Sequence, residues 1–154
     1  EENRGLEYMF VMMNAARFAV GMQGIAVAER AYQKAVQYAK DRIQSRDLAG
    51  SAGPVAIIHQ PDVKRMLLEM KTKTLAARAI CYRTAAALDV ATLQKDEAAK
   101  NRAALLTPIA KAFGTDVGIE VASTGIQVFG GMGFIEETGA AQFYRPRSHA
   151  GLTP

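Results

Sequence analysis

Few residues in this 154-residue chain have a type and spacing suited to chemistry. Arg42 and Arg46 stand one helical turn apart in the run YAKDRIQSR. Cations at a helix end complement its negative pole. A guanidinium there can equally clamp a phosphate or carboxylate through its planar fork of donors. Gln127 lies just before the pair Gly130 and Gly131. Such glycines can cap a helix, or let a ligand approach the backbone with no Cβ in the way. His59 and Gln60 precede Pro61, a favourable first-turn residue. That pair can cap the helix or reach a ligand. Each feature admits a structural role, and none decides alone.

Several chemistries are excluded. A di-iron bundle needs Glu-x-x-His pairs, but His59 and His149 are the only histidines and neither has a Glu three residues earlier. A zinc site lacks ligands, so no metal is expected. There is no nucleophile elbow and no P-loop. The turn Gly130-Gly131-Met132-Gly133 follows no strand, so it is not a dinucleotide fingerprint. Cys81 is the sole cysteine, which rules out an internal disulfide. In its Ala-rich surroundings it reads as a small buried apolar residue, consistent with an intracellular compartment. The formal charge of +4 comes from scattered charges of both signs. That is compatible with binding phosphates, but the helices are too long and evenly charged for a DNA recognition helix, and no nucleic-acid partner is expected. No stretch of 18 apolar residues and no signal peptide stand out, so a cytoplasmic protein without a transmembrane segment is expected. The chain opens on Glu1 rather than Met, and an upstream segment is expected.

The elements that must position these residues are helical. Ala, Leu and Met are plentiful and aromatics few, a mix that favours helix. Steps of three and four place Leu6, Met9, Phe10, Met13, Ala16, Val20, Val27, Ala28, Tyr32, Ala35 and Ala39 on one stripe, predicting a helix over 6–43. Gly21 and Gly24 interrupt it at a spacing that lets another helix approach closely. A loop over 44–59 follows, whose apolar run 55–58 is expected to tuck against the core. A second helix opens at Pro61 with a stripe through Val63, Met66, Leu67, Met70, Ala77, Ile80, Cys81, Thr84 and Leu88, and fades over 89–92. A third spans 96–128 with a stripe through Leu106, Ile109, Ala110, Phe113, Val117, Val121, Thr124 and Val128, kinked at Pro108. Then come the glycine turn, a short helix over 136–143, and a tail over 146–154 expected to be disordered. Three helices of ~45–55 Å at 1.5 Å per residue predict an all-α, up-and-down bundle of long antiparallel helices over 1–145. A fourth helix is expected to close it.

These pieces in this order resemble the C-terminal domain of acyl-CoA dehydrogenases. The carrying segments are YAKDRIQ, His59-Gln60 before a helix, AKAFGTDVG, and QVFGGMGFIEETG with Arg145 behind it. The resemblance runs over 14–145 and implies a four-helix bundle bound to FAD. It implies that Arg42 contacts the flavin pyrophosphate and that Gln44 lines the same cofactor. It places His59 and Gln60 near the flavin, and Gln127, Val128, Phe129, Gly130 and Gly131 around its ADP half, largely across a subunit interface. It further implies a homodimer or homotetramer, an acyl-CoA substrate and an electron-acceptor flavoprotein as partner. Asn14 and Arg17 resemble an Asp-x-x-Arg pair beside the CoA-ester substrate, with Asn14 in place of the usual Asp.

Two departures stand out. Ser45 and Arg46 replace a usual Phe-Gly, and the longer loop after them resembles a subgroup of larger members grouped with the methylthiopropionyl-CoA type. Beyond Arg145 the family continues with Asp-Ala-Arg and a Glu-Gly-Thr motif whose Glu is the catalytic base. Here Pro146 stands in place of that Asp, and no Glu follows Glu137. No residue of this chain is therefore a candidate catalytic base. The implied reaction is α,β-dehydrogenation of an acyl-CoA thioester, in which the chain by itself is expected to be inactive. The alternative is a non-enzymatic helical interaction module, in which the glycines only cap.

Overall fold

Small side chains decide how these helices meet. In the computed structural model, which describes residues 3–145, three long helices carry the chain: α1 (Gly5–Asp41), α2 (Pro61–Leu93) and α3 (Glu97–Phe129). The buried stripe of α1 is Gly21, Gly24, Ile25, Ala28, Ala31, Ala35 and Ala39. That of α3 is largely Ala, Gly, Thr and Val, including Gly114, Gly118 and Gly125. With so little side chain between them, the backbones touch. A Cβ added at Gly114 would lie 2.7 Å from the Gly21 carbonyl oxygen, and one at Gly21 would lie 2.8 Å from that of Ala110. The close approach expected from Gly21 is thus met by a glycine on the facing helix.

Consecutive helices run antiparallel, as expected. Lys73 of α2 bonds Glu120 of α3, while the Cys81 thiol lies near the Ala110 carbonyl. It follows that α1 and α3 run parallel, and Tyr38 stacks on Phe129 with ring centroids 4.0 Å apart. The α2 stripe agrees with expectation, with Leu67, Met70, Ala77, Cys81 and Thr84 buried. Burial pushes the Cys81 thiol pKa up, so it stays a protonated core group.

The stripes of α1 and α3 need correction. Leu6, Met9, Phe10, Ile109 and Phe113 are exposed, although each was expected on a core face. The core is built from the smaller residues beside them, because α3 lies between two helices and needs narrow faces on both sides. Pro108 leaves α3 assigned as one continuous helix. Its missing N–H removes one bond from the helix ladder, opposite the exposed residue Ala104, while the Thr107 hydroxyl donates to the Ala103 carbonyl at 2.7 Å. Asp96 caps α3 by accepting from the amides of Ala98 and Ala99.

The expected short helix over 136–143 is instead two 3-10 turns, Glu136–Thr138 and Ala141–Phe143, broken at Gly139. Arg30 and Lys34 of α1 hold this segment by sitting over the Phe143 ring. No fourth long helix occurs among the described residues, and the tail over 146–154 lies outside them. Among the described residues one helix, α1, is long and apolar enough by length and composition to cross a membrane. An 18-residue window of α1 reaches a mean hydropathy of 1.3, which suffices by length and composition, although core helices pass the same test.

Candidate functional site

The up-down-up course brings three helix ends together: the C-termini of α1 and α3 and the N-terminus of α2. Between them lies a groove of about 640 Å³. Tyr38, Ile57, Val63, Val128 and Phe129 supply its apolar lining. Arg42, Gln44, Ser45, Gln60, Gln127 and the turn 130–132 supply the rest.

Each polar residue is placed by local structure. Arg42 is the C-cap of α1, its amide bonded to the Tyr38 carbonyl at 2.8 Å. The chain then leaves the helix axis and pairs briefly with the later part of its own loop. Ile43 and Ala56 form an isolated antiparallel bridge, and the Gln44 amide donates to the Val55 carbonyl at 2.9 Å. This seats Ile57 in the core and confirms that the run 55–58 tucks inward. At the end of α3, Gly130 adopts φ +60° and ψ −139°, a conformation open to glycine and few others. A Cβ added at Gly130 or Gly131 would meet nothing within 4 Å, so this backbone faces open space.

The electrostatics favour an anion. The α2 N-terminus contributes the positive end of its dipole. The Arg42 guanidinium makes no ion pair with any described residue, whereas Arg65, Lys73 and Arg78 all do. Among the described residues no carboxylate, imidazole or thiol lines the groove. The described hydroxyls of its lining are those of Tyr38 and Ser45, with no carboxylate or imidazole beside them to act as a base.

The groove therefore gathers Arg42, Gln44, Gln60, Gln127, Val128, Phe129, Gly130 and Gly131. It does not include His59, which is exposed at the end of the 3-10 turn Ile57–His59. Asn14 and Arg17 lie ~38 Å or more from Arg42 along α1 at 1.5 Å per residue. They bond to each other, Arg17 Nη1 donating to Asn14 Oδ1 at 3.1 Å. Tyr38, Ser45, Ile57, Val63 and Met132 also line the groove and were not singled out from sequence. Tyr38 was within reach, since it stands four residues before Arg42 and so shares its helix face. Among the described residues no cluster of metal-ligating side chains occurs.

Comparison with known proteins gives a consistent result. The family model described as acyl-CoA dehydrogenase, C-terminal domain, matches residues 3–147. The 3-methylmercaptopropionyl-CoA dehydrogenase of Ruegeria pomeroyi is 56% identical over 94% of this chain and 25% of its own length. A butyryl-CoA dehydrogenase of Syntrophomonas wolfei is 35% identical over 92% of this chain and 24% of its own length. The solved butyryl-CoA dehydrogenase from Megasphaera elsdenii superposes with a TM-score of 0.78 at 26% identity, over 99% of this chain and 35% of that one. The chain thus spans about a quarter of the length of these curated relatives.

Proposed function

Since the chain belongs to the acyl-CoA dehydrogenase family, as a C-terminal domain, a family that is FAD-dependent in general, we propose that its groove holds the nucleotide end of FAD. The observation that carries this is the convergence of Arg42, Gln44 and Gln127 with the bare backbone of Gly130 and Gly131 in one groove. The residues fit such a group. A guanidinium with no ion pair among the described residues and a helix N-terminus suit a pyrophosphate. Side-chain amides suit the hydroxyl and ring polar groups. An apolar floor with the stacked Tyr38–Phe129 pair suits the flat remainder of a nucleotide.

When bound, the flavin supplies the hydride acceptor for α,β-dehydrogenation of an acyl-CoA thioester. This chain's part is to bind and orient. Among the described residues no carboxylate lines this groove, so it offers no base of the kind that removes an α-proton. Asn14 and Arg17 are assigned to the thioester side. Their distance from Arg42 supports the reading that one chain serves two sites, its own substrate and the flavin of a neighbouring copy. The same reading includes a homodimer or homotetramer, in the cytoplasm, with a flavoprotein as electron acceptor.

The test uses the full-length protein. Arg42→Ala should weaken FAD retention about tenfold or more, the scale of a lost charge-assisted hydrogen bond. Gln127→Ala should weaken it less. Bound flavin per chain after gel filtration reads the effect, and retention equal to the parent in both variants would remove the proposal.

A further inference from the structure

The loop 42–60 supplies Arg42, Gln44 and Ser45 to the groove, and it is long for a helix–helix link. Its two arms are laced together. The Gln44 amide donates to Val55 at 2.9 Å, the Val55 amide to Ser45 at 2.9 Å, and the Ile57 amide to Arg42 at 2.8 Å. Within this lacing Ser45 adopts φ +60°, a left-handed conformation that residues with a Cβ occupy reluctantly. Something must hold it there. Directly after it, the Arg46 carbonyl accepts a hydrogen bond from Gln60 Nε2 at 3.1 Å.

Gln60 stands at the cap position of α2, yet its side chain makes no capping bond. Its backbone amide donates to Ile57 and its carbonyl accepts from Lys64. Truncating the side chain therefore removes the bond to Arg46 without removing a helix cap. We propose that Gln60 is a positioning residue: its amide holds the left-handed turn at Ser45 and so sets Gln44 and Ser45 along the groove. The consequence for flavin rests on the groove reading above, and the role of Gln60 toward the cofactor is then indirect.

The experiment uses the full-length protein as Gln60→Ala, Ser45→Gly and the double variant. Glycine adopts φ +60° without a clamp. In flavin-free protein, Gln60→Ala should speed hydrogen exchange at the Gln44 and Val55 amides. It should also lower FAD affinity about fivefold, the effect of one net hydrogen bond. Adding Ser45→Gly should recover most of that affinity. Unchanged exchange in Gln60→Ala would overturn the proposal. So would an affinity loss that Ser45→Gly leaves undiminished, which would mean that Gln60 touches the cofactor itself. The exchange arm needs no flavin, so it decides the clamp even where Arg42→Ala retains FAD and the groove reading falls.

Discussion

Glu29 shows what a single charge contributes in this bundle. Its carboxylate accepts from Gln33 on α1 at 2.7 Å and pairs with Arg78 of α2 at 2.8 Å. The Gln33 hydrogen bond chiefly, and Arg78 after it, hold its pKa below the usual 4.5 against the opposing effect of burial. A carboxyl with a depressed folded pKa stabilises above its unfolded value, and that contribution is lost as pH falls through the folded one. Glu29→Gln should therefore cost about 0.5 kcal/mol at neutral pH, the scale of a half-exposed pair. The deficit should shrink below pH 4.5 and vanish once the parent's carboxyl is protonated. Urea unfolding across the acid range checks this, and a deficit constant with pH would contradict it. At this same scale the groove was partly legible from sequence. Arg42, Gln127 and Gly130 announce themselves because they stand at helix ends, where backbone groups go unsatisfied. His59 stands outside the groove, because successive side chains of a 3-10 turn diverge by about 120°. Its neighbour Gln60 lines the groove and His59 does not.

At the scale of elements, the contact between α1 and α3 is one of backbone against backbone. Gly114→Ala forces a Cβ against the Gly21 carbonyl, a rigid neighbour that cannot swing away. The helices must separate, at a cost of about 1–3 kcal/mol. Gly125→Ala is the contrast: its Cβ would meet the Met70 methyl at 3.5 Å, ordinary contact. There the better helix propensity of alanine, worth up to about 1 kcal/mol, should leave the protein unchanged or slightly more stable. Thermal unfolding of both variants reads the difference, and equal losses would contradict the account. Helix existence and order were legible, since a 3.6-residue period over thirty residues admits little else. Which stripe is buried was less so. A hydrophobic pattern ranks Ile109 and Phe113 above Gly114, but the closest helix pairs select small residues. The pair Gly21 and Gly114 carries that information only once the partner helix is known. The two 3-10 turns near the C-terminal end were illegible for another reason: Gly139 breaks them, and too few residues remain on either side for a period to show.

For the whole molecule, the course of the chain explains why the groove lies at one end of the bundle. Where α1 and α3 finish and α2 begins, the Arg42 guanidinium, two bare glycines and a positive helix end meet. The distance to Asn14 and Arg17 places those residues in a second environment. The most direct test of the central claim is a structure of the full-length protein with FAD bound. The account predicts the pyrophosphate within hydrogen-bond distance of the Arg42 guanidinium, beside the turn at Gly130 and Gly131. A pyrophosphate held elsewhere, with this groove filled by protein side chains alone, would contradict it.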